Sequence, residues 1–400
     1  MTQLKQMWKK HDLKEKYDIV IIGAGVHGLA IAYYLAKRGI TNIAVLDKNY
    51  LGSGNSGRNT AILRANYRTF EGIPFYSESL KLYENLSQEL NYNILFSQQG
   101  HLTLGHSDLS MYGLKVRADM NKLMGIDSKI ISPPEIKQLA PTVDTSSHPQ
   151  YPIQGALYHP PGAVLRHDAV IWGFANNVEN FGIEIHPFTE AKSILTHNNS
   201  VTGVITNRGQ IKTDLVVNAT AGWASTIAKM VNLDLPIVTH PLQACVTEPL
   251  KPLMHKIIVS ANLHVYIYQT DRGEFVLGAE IDPYQTYSMK STFDTLEQIA
   301  CHATEIIPCL KNVNILRQWS GICDMTPDFC PIMGSVDEIK GFILDVGWGT
   351  YGFKAAPISG KMIAELISTG KTPNLIDPFK LSRFYEEKLV SEKAAAAVSH

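Results

Sequence analysis

Residues 17–47, YDIVIIGAGVHGLAIAYYLAKRGITNIAVLD, constrain the fold more than any other stretch. Tyr17 to Ile22 is a run of apolar and β-branched residues, the pattern of a buried strand. Gly23, Gly25 and Gly28 follow in the spacing G-x-G-x-x-G. Helical apolar spacing then runs over 26–37, with Gly39 placed to close the helix. A second strand is predicted over 43–46, ending on Asp47. Gly23 permits a tight turn, Gly25 a close approach to a pyrophosphate, and Gly28 close packing of helix on strand. The helix start offers free N–H groups and the positive end of its dipole. Asp47 lies about 20 residues on, where a carboxylate can bind ribose hydroxyls. A dinucleotide site is expected, and these residues alone leave FAD and NAD both open.

A chain of 400 residues is long for a single core, so two domains are expected. A net charge of −1 gives no argument for nucleic acid or an anionic membrane. No run approaches the ~20 apolar residues of a membrane span. The N-terminal residues are charged and lack an apolar signal core, so a cytoplasmic enzyme is expected. Five cysteines are scattered without a C-x-x-C pair, which suggests neither a disulfide framework nor a metal site.

Residues 1–16 read as an extension or short helix. The glycine- and serine-rich stretch 51–60, LGSGNSGRNT, reads as a flexible turn placed to close over a cofactor. Helices are predicted over 75–90, from Pro133, over 166–181, 292–309 and through Ile367. Strands are predicted over 100–105, 183–185, 193–196, 214–219 and 342–346, with a hairpin of 201–207 and 211–213 around Arg208-Gly209. From 236 to 281 the pattern turns to alternating strands, the mark of an antiparallel sheet. The last 15 residues, EEKLVSEKAAAAVSH, read as a solvent-facing helix that frays.

Several stretches agree on one resemblance: IIGAGVHGLAIAYYLA, SGRNTAILRANY, VLRHDAVIWGFA, VVNATAGWAS, QWSGICDMTPDFCPIMG and GWGTYGFKAAPISG. In this order they resemble the FAD-dependent amine oxidases of the D-amino-acid oxidase and sarcosine oxidase group. SGRNT and LRHD look most like the β subunits of the heterotetrameric sarcosine oxidase branch. The resemblance implies a mixed α/β fold, with a Rossmann-like FAD-binding domain and an inserted antiparallel-sheet domain. The first would take residues 1–90, 150–235 and 330–400, the second 91–149 and 236–329. It implies FAD rather than NAD. The family's covalent attachment, where it occurs, uses a cysteine near the chain end. Here the last is Cys330, so non-covalent FAD is expected. Cofactor contacts would come from Gly23, Gly25, His27, Gly28, Asp47, Lys48, Ser56, Arg58, Thr60, Ala191, Gly222, Gly349 and Gly352.

Arg64 and Lys354 are implied to hold a substrate carboxylate, a role suited to a planar guanidinium fork and a neighbouring ammonium. Of 14 histidines, His167 stands in the LRHD match, where the family carries a covalent FMN, with Arg166 beside it. Cys323, without an activating neighbour in sequence, is not read as a nucleophile. The implied reaction is oxidation of sarcosine or a similar secondary amino acid by hydride transfer to FAD. Electrons would pass to FMN and oxygen, with other subunits in the assembly. A proline or imino-acid dehydrogenase subunit, a single-flavin amine oxidase and a non-catalytic flavin-holding subunit are the alternatives.

Overall fold

Five parallel strands frame the fold, side by side in the order Ile339–Val346, Val216–Asn218, Ile19–Ile22, Ile43–Leu46 and Glu184–His186. They are seen in a computed structural model that describes residues 8–392. Every residue of Ile19–Ile22 and Ile43–Leu46 is buried. A parallel strand covered on both faces must be apolar throughout, which is why these segments read as continuous hydrophobic runs. Side chains alternate between two cores: Ile19 and Ile21 pack on one side, Val20 and Ile22 on the other. Helices Val26–Ala36, Gly72–Glu89, His167–Asn180 and Gly352–Thr369 build the first core. The hairpin Ser200–Thr206 and Gly209–Lys212 extends the sheet as its spacing predicted.

The glycine turn joins strand and helix closely. A Cβ on Gly28 would lie 1.9 Å from the carbonyl oxygen of Gly23. Gly23 itself has φ +112°, and a Cβ there would meet Ala219 O at 2.4 Å. The helix it opens ends at Ala36, and Gly39 follows in the left-handed region at φ 82°.

A second sheet of eight strands carries Val238–Pro249, Val265–Gln269, Glu274–Ile281 and Ile315–Met325 in antiparallel pairing. One pair, Ile257–Ser260 on His101–Gly105, is parallel. Helix Phe293–Ile306 packs on this sheet through Ile299, Ala303 and Ile306. Strand Gly155–His159, which lies in a segment expected to serve the cofactor domain, pairs with His101–Gly105 and so belongs to this second sheet.

Two features differ from expectation. Residues Asp108–Leu123 form a helix that the sequence reading left unassigned. Its inner face buries Leu114, Arg117, Ala118 and Asn121, while Leu109, Tyr112, Val116 and Leu123 face outward. Apolar residues on both faces blur the 3.6-residue period, and Gly113 reads as a breaker. At the other end, residues 386–392 are not helical, and Glu392 is buried. Residues 393–400 and 1–7 lie outside the described residues, and 8–16 form no helix.

Two alanine substitutions separate the roles of glycine. Gly28→Ala should destabilise the chain by about 1–3 kcal/mol through forced overpacking. Gly113→Ala, in a helix with nothing within 4 Å of the new Cβ, should stabilise by about 0.5–1 kcal/mol. Thermal melting of the cofactor-free proteins checks both; a tolerated Gly28→Ala would refute the close-packing account.

Candidate functional site

One cleft runs between the two sheets, from the glycine turn at one end to the second sheet at the other. At the first end, Gly23, Gly25, Asp47, Lys48 and Ala191 line it. Asp47 Oδ2 accepts from Ala24 N–H at 2.9 Å and Oδ1 accepts from Asn49 N–H at 2.9 Å. Burial raises its pKa, and these two amides pull the other way. Each carboxylate oxygen keeps a lone pair for a further donor. Lys48 Nζ sits 3.7 Å from the centroid of the Trp223 ring, a cation–π contact over the cleft mouth.

The stretch 51–60 is a pinned element rather than a loose one. It holds a 3-10 turn, Asn55–Arg58. Ser56 Oγ accepts from Val26 N–H at 2.9 Å, tying the loop to the first helix turn. Asn55 Oδ1 accepts from Ile322 N–H at 2.9 Å, tying it to the second sheet. Arg58 O accepts from Trp319 Nε1 at 2.8 Å, and Thr60 O from Tyr268 OH at 2.9 Å.

Arg64 and Lys354 line the same cleft, with Thr103 and His101, near enough for the Arg64 charge to act on the Lys354 ammonium. The Arg64 guanidinium lies 4.4 Å from the centroid of Tyr67, and Lys354 Nζ lies 5.7 Å from that of Tyr351. Those two rings touch edge to face at 5.6 Å, and Tyr67 stacks on Tyr76 at 3.8 Å. Arg64 Nη1 donates to Asn66 O and Asn66 Oδ1 at 3.1 and 3.0 Å. Its Nη2 is buried with no hydrogen-bond partner among the described residues. Burial, and then the neighbouring charge of Arg64, push the Lys354 ammonium down to about 7.

The short segment 65–69 is held almost atom by atom. Ala65 N–H donates to His159 Nε2 at 3.2 Å, which leaves the ring proton on Nδ1, donated to Asp127 O at 2.7 Å. Burial pushes His159 down to about 4, so it is neutral near pH 7. Arg117 Nε donates to Asn66 O at 2.6 Å, and Asn121 Nδ2 to Tyr67 O at 2.7 Å. The Glu392 carboxylate accepts from the amides of Arg68 and Thr69 at 3.0 Å each. His101, Arg117, His159 and Glu392 were not among the sequence candidates. A carboxylate binder flanked by a second buried guanidinium gives no local sequence signal, because the two are 53 residues apart.

Other candidates fall elsewhere. His27 lines the cleft, but its ring nitrogens already face Asp345 Oδ2 at 2.9 Å and Gly352 O at 2.8 Å. Both partners can accept a ring proton, which favours the charged form. Burial, the largest single influence, opposes that charge; the charge and hydrogen bond of Asp345, the Gly352 carbonyl and Asp324 together outweigh it, raising the pKa. Gly349 and Gly352 line the cleft, whereas Gly28 and Gly222 do not; Gly222 packs under Ile322 instead. Arg166 is paired with Asp168 at 2.8 and 3.1 Å. His167 lines a separate small cavity with Tyr50, Asp168 and Trp172. Ser53 and Arg58 border both cavities, so the turn 53–58 is the wall between them. Burial lowers the His167 pKa, which leaves its imidazole neutral near pH 7. Cys323 is buried and its thiol is pushed up, the opposite of an activated nucleophile. No group of residues suited to hold a metal occurs among the described residues.

A strand-glycine-helix turn with an acid at the next strand end has the form of a dinucleotide site, and the cleft it opens also carries buried cations. Comparison gives the family. Residues 18–366 match the model of the FAD-dependent oxidoreductases, and the chain belongs to that family. It is 40% identical to the sarcosine oxidase subunit beta of an Arthrobacter species, over 98% of this chain and 97% of that one. It is 41% identical to the protein of the same name from Rhizobium meliloti, over 98% and 94%. Among solved structures, L-proline dehydrogenase from P. horikoshii superposes with a TM-score of 0.88 at 32% identity, covering 94% of this chain and all of that one. Among the described residues, no helix is long and apolar enough to cross a membrane.

A carboxylate bound beside Lys354 favours its charged form. Affinity for a simple carboxylate such as propionate should therefore be highest below pH 7 and fall as pH rises through about 7. Lys354→Met should flatten that dependence. Titration of the flavin absorbance change at several pH values checks it; an identical slope in the variant would remove Lys354 from the anion site.

Proposed function

We propose that this chain is the FAD-bearing subunit of a heteromeric sarcosine oxidase, oxidising sarcosine or a similar N-methyl or secondary amino acid at its C–N bond. The observation that carries the reading is that Arg64 and Lys354 line one cleft within reach of each other's charge, with Arg64 Nη2 left without a hydrogen-bond partner among the described residues. FAD, bound without a covalent link, accepts the hydride. The turn at Gly23 and Gly25 and the Asp47 carboxylate fit its pyrophosphate and ribose. Arg64 and Lys354 hold the substrate carboxylate and fix the α-carbon, which is the protein's contribution to the rate. The same two cations disfavour an ammonium, so they select the amine in its neutral form, the form able to release hydride. The names of the relatives as subunits support partner chains of a different kind. A cytoplasmic setting is part of the same proposal.

FMN attached at His167 belongs to this reading. The ring is neutral, partly buried and faces a cavity of its own, separated from the FAD cleft by the turn 53–58. Mass spectrometry of the peptide containing Arg166, His167 and Asp168, from the complex made with its partners, should show the added flavin. His167→Asn should lose it while FAD remains reducible by substrate. An unmodified peptide from active complex would turn the proposal to a single-flavin enzyme.

A second reading, a proline dehydrogenase, is favoured by the 32% identity to L-proline dehydrogenase from P. horikoshii. Flavin bleaching under argon separates the two: sarcosine should bleach, proline should not. The reverse result would establish the second reading, and bleaching by neither, nor by any of a panel of other N-methyl amino acids, would favour a non-catalytic, flavin-holding role. Arg64→Ala and Lys354→Ala should each weaken substrate binding by about 2–3 kcal/mol, roughly 30- to 150-fold. The loss should be far smaller for an amine lacking the carboxylate. Equal losses for both compounds would sink the carboxylate assignment.

A further inference from the structure

One buried acid that lines the cleft is left over by everything described so far. Asp324 stands near the end of strand Ile315–Met325, is 1% exposed and lines the cleft. Its Oδ2 accepts from Gly347 N–H at 2.6 Å, and its backbone carbonyl accepts from Gly349 N–H at 3.1 Å. Its Oδ1 is buried with no hydrogen-bond partner among the described residues. A second polar atom of the same turn, Thr350 Oγ1, is also buried and unpartnered, and Thr350 also lines the cleft. The neighbouring acid, Asp345, is by contrast fully used. It takes His27 Nδ1 at 2.9 Å, Ser359 Oγ at 2.7 Å and Trp348 Nε1 at 3.1 Å.

A buried carboxylate oxygen left without a donor is costly, and native chains satisfy nearly all such atoms. The cleft is the space from which a donor can come. Resting on the FAD reading, we propose that Asp324 is a further cofactor-binding residue: its Oδ1 accepts a hydrogen bond from a donor on the bound flavin, with Thr350 beside it. The flavin has two kinds of donor, the ring N3–H and the ribityl hydroxyls. Both share the chemistry that a fixed carboxylate recognises. The turn 347–352 presents Asp324 rigidly, because Gly347 and Gly349 have positive φ, 73° and 52°, and both amides are anchored to Asp324 itself. Burial raises the Asp324 carboxyl to about 6, and the amides of Trp348, Asp324 itself and Gly347, together with His27, work against that rise. A hydrogen bond from the flavin would act in the same direction as those amides.

Asp324→Asn tests the assignment. The amide oxygen can keep the Gly347 N–H bond, which turns an NH₂ toward the cleft and sets donor against donor. Titration of cofactor-free protein with FAD, followed by flavin fluorescence, should show affinity weakened about 10- to 100-fold. Circular dichroism and melting of the cofactor-free variant should match the wild type. Affinity within twofold of the wild type overturns the proposal. If Asp324→Asn does not fold, Asp324→Ser is measured by the same criterion. Titrating 3-methyl-FAD and the 2′-, 3′- and 4′-deoxyribityl analogues of FAD into wild type and variant identifies the donor. The analogue lacking it should bind the wild type more weakly, and the variant should not discriminate against it. Wild type and variant discriminating equally against every one of these analogues also overturns the proposal. A wild-type chain that takes up no FAD overturns the underlying reading as well, whereas normal FAD binding with an indifferent Asp324→Asn overturns this assignment alone.

Discussion

The close approach of Gly28 to the Gly23 carbonyl decides where everything else in the molecule can act. With a Cβ at Gly28 only 1.9 Å from that oxygen, any side chain would lift the first helix off its strand. Held down, the helix start points at the crest where the parallel strands end. The segments that follow those strands then converge on one cleft: Asp47 after the second strand, Thr220 and Ala221 after Val216–Asn218, and the turn 347–352 after Ile339–Val346. Sheet order brings together residues more than 300 positions apart, because ligands of such sheets bind outside the carboxyl ends of the strands.

Charge around Arg64 and Lys354 follows a different logic. Arg64 and Arg117 are buried and share the Asn66 carbonyl, an arrangement that like charges resist. Burial, followed by the charge of Arg64, holds the Arg117 pKa well below its usual value, and burial, Arg64 and Arg117 hold His101 well below its own. Keeping His101 and His159 neutral limits the repulsion to the guanidiniums and Lys354. Aromatic faces spread what remains: Tyr67 under Arg64 and Tyr351 under Lys354 offer their negative faces, the pair in edge-to-face contact. A pocket with this excess of fixed positive charge would suit the carboxylate proposed for it, because the cost of gathering the cations is met when the chain folds.

Much of this was legible in the sequence where chemistry and local pattern coincide. The strand-turn-helix unit and both strands of the hairpin after Ser200 could be read directly, and the placing of Arg64 and Lys354 on one cleft, 290 positions apart, only through family resemblance. The helix Asp108–Leu123 could not, since its outward Leu109, Tyr112, Val116 and Leu123 erase the one-sided pattern. Strand Gly155–His159 sits between a loop and a turn and is claimed by the second sheet only through long-range pairing. Gly222 reads like a cofactor turn, yet the space beside it is filled by Ile322. Arg117, Asn121 and Glu392 act on the site through the backbone of 66–69, and a contact made to a carbonyl or amide leaves no residue-type signature at its target.

The end of the described chain shows how far such indirect control extends. Arg383 and Asp328 form a buried ion pair, with Nε to Oδ2 at 2.8 Å and Nη2 to Oδ1 at 3.0 Å. A buried pair of this geometry adds little net stability against apolar replacements, but it specifies register, because either partner alone would be an uncompensated charge. Asp328 also accepts from Val390 N–H at 3.3 Å, which fixes the path of the chain two residues before Glu392. Glu392 then takes the amides of Arg68 and Thr69, and Thr69 Oγ1 caps Gly72 N–H at 2.9 Å where helix Gly72–Glu89 begins. Ser79 and Tyr83 of that helix donate to the carbonyls of Lys354 and Phe353. A single line of hydrogen bonds therefore runs from the Arg383 pair through the segment that follows Arg64 to the backbone of Lys354. The two cations of the pocket are spaced by one helix whose start is set from the C-terminal segment. The irregular stretch 386–392, expected to be a solvated helix, is consequently a structural strap for the segments that carry Arg64 and Lys354.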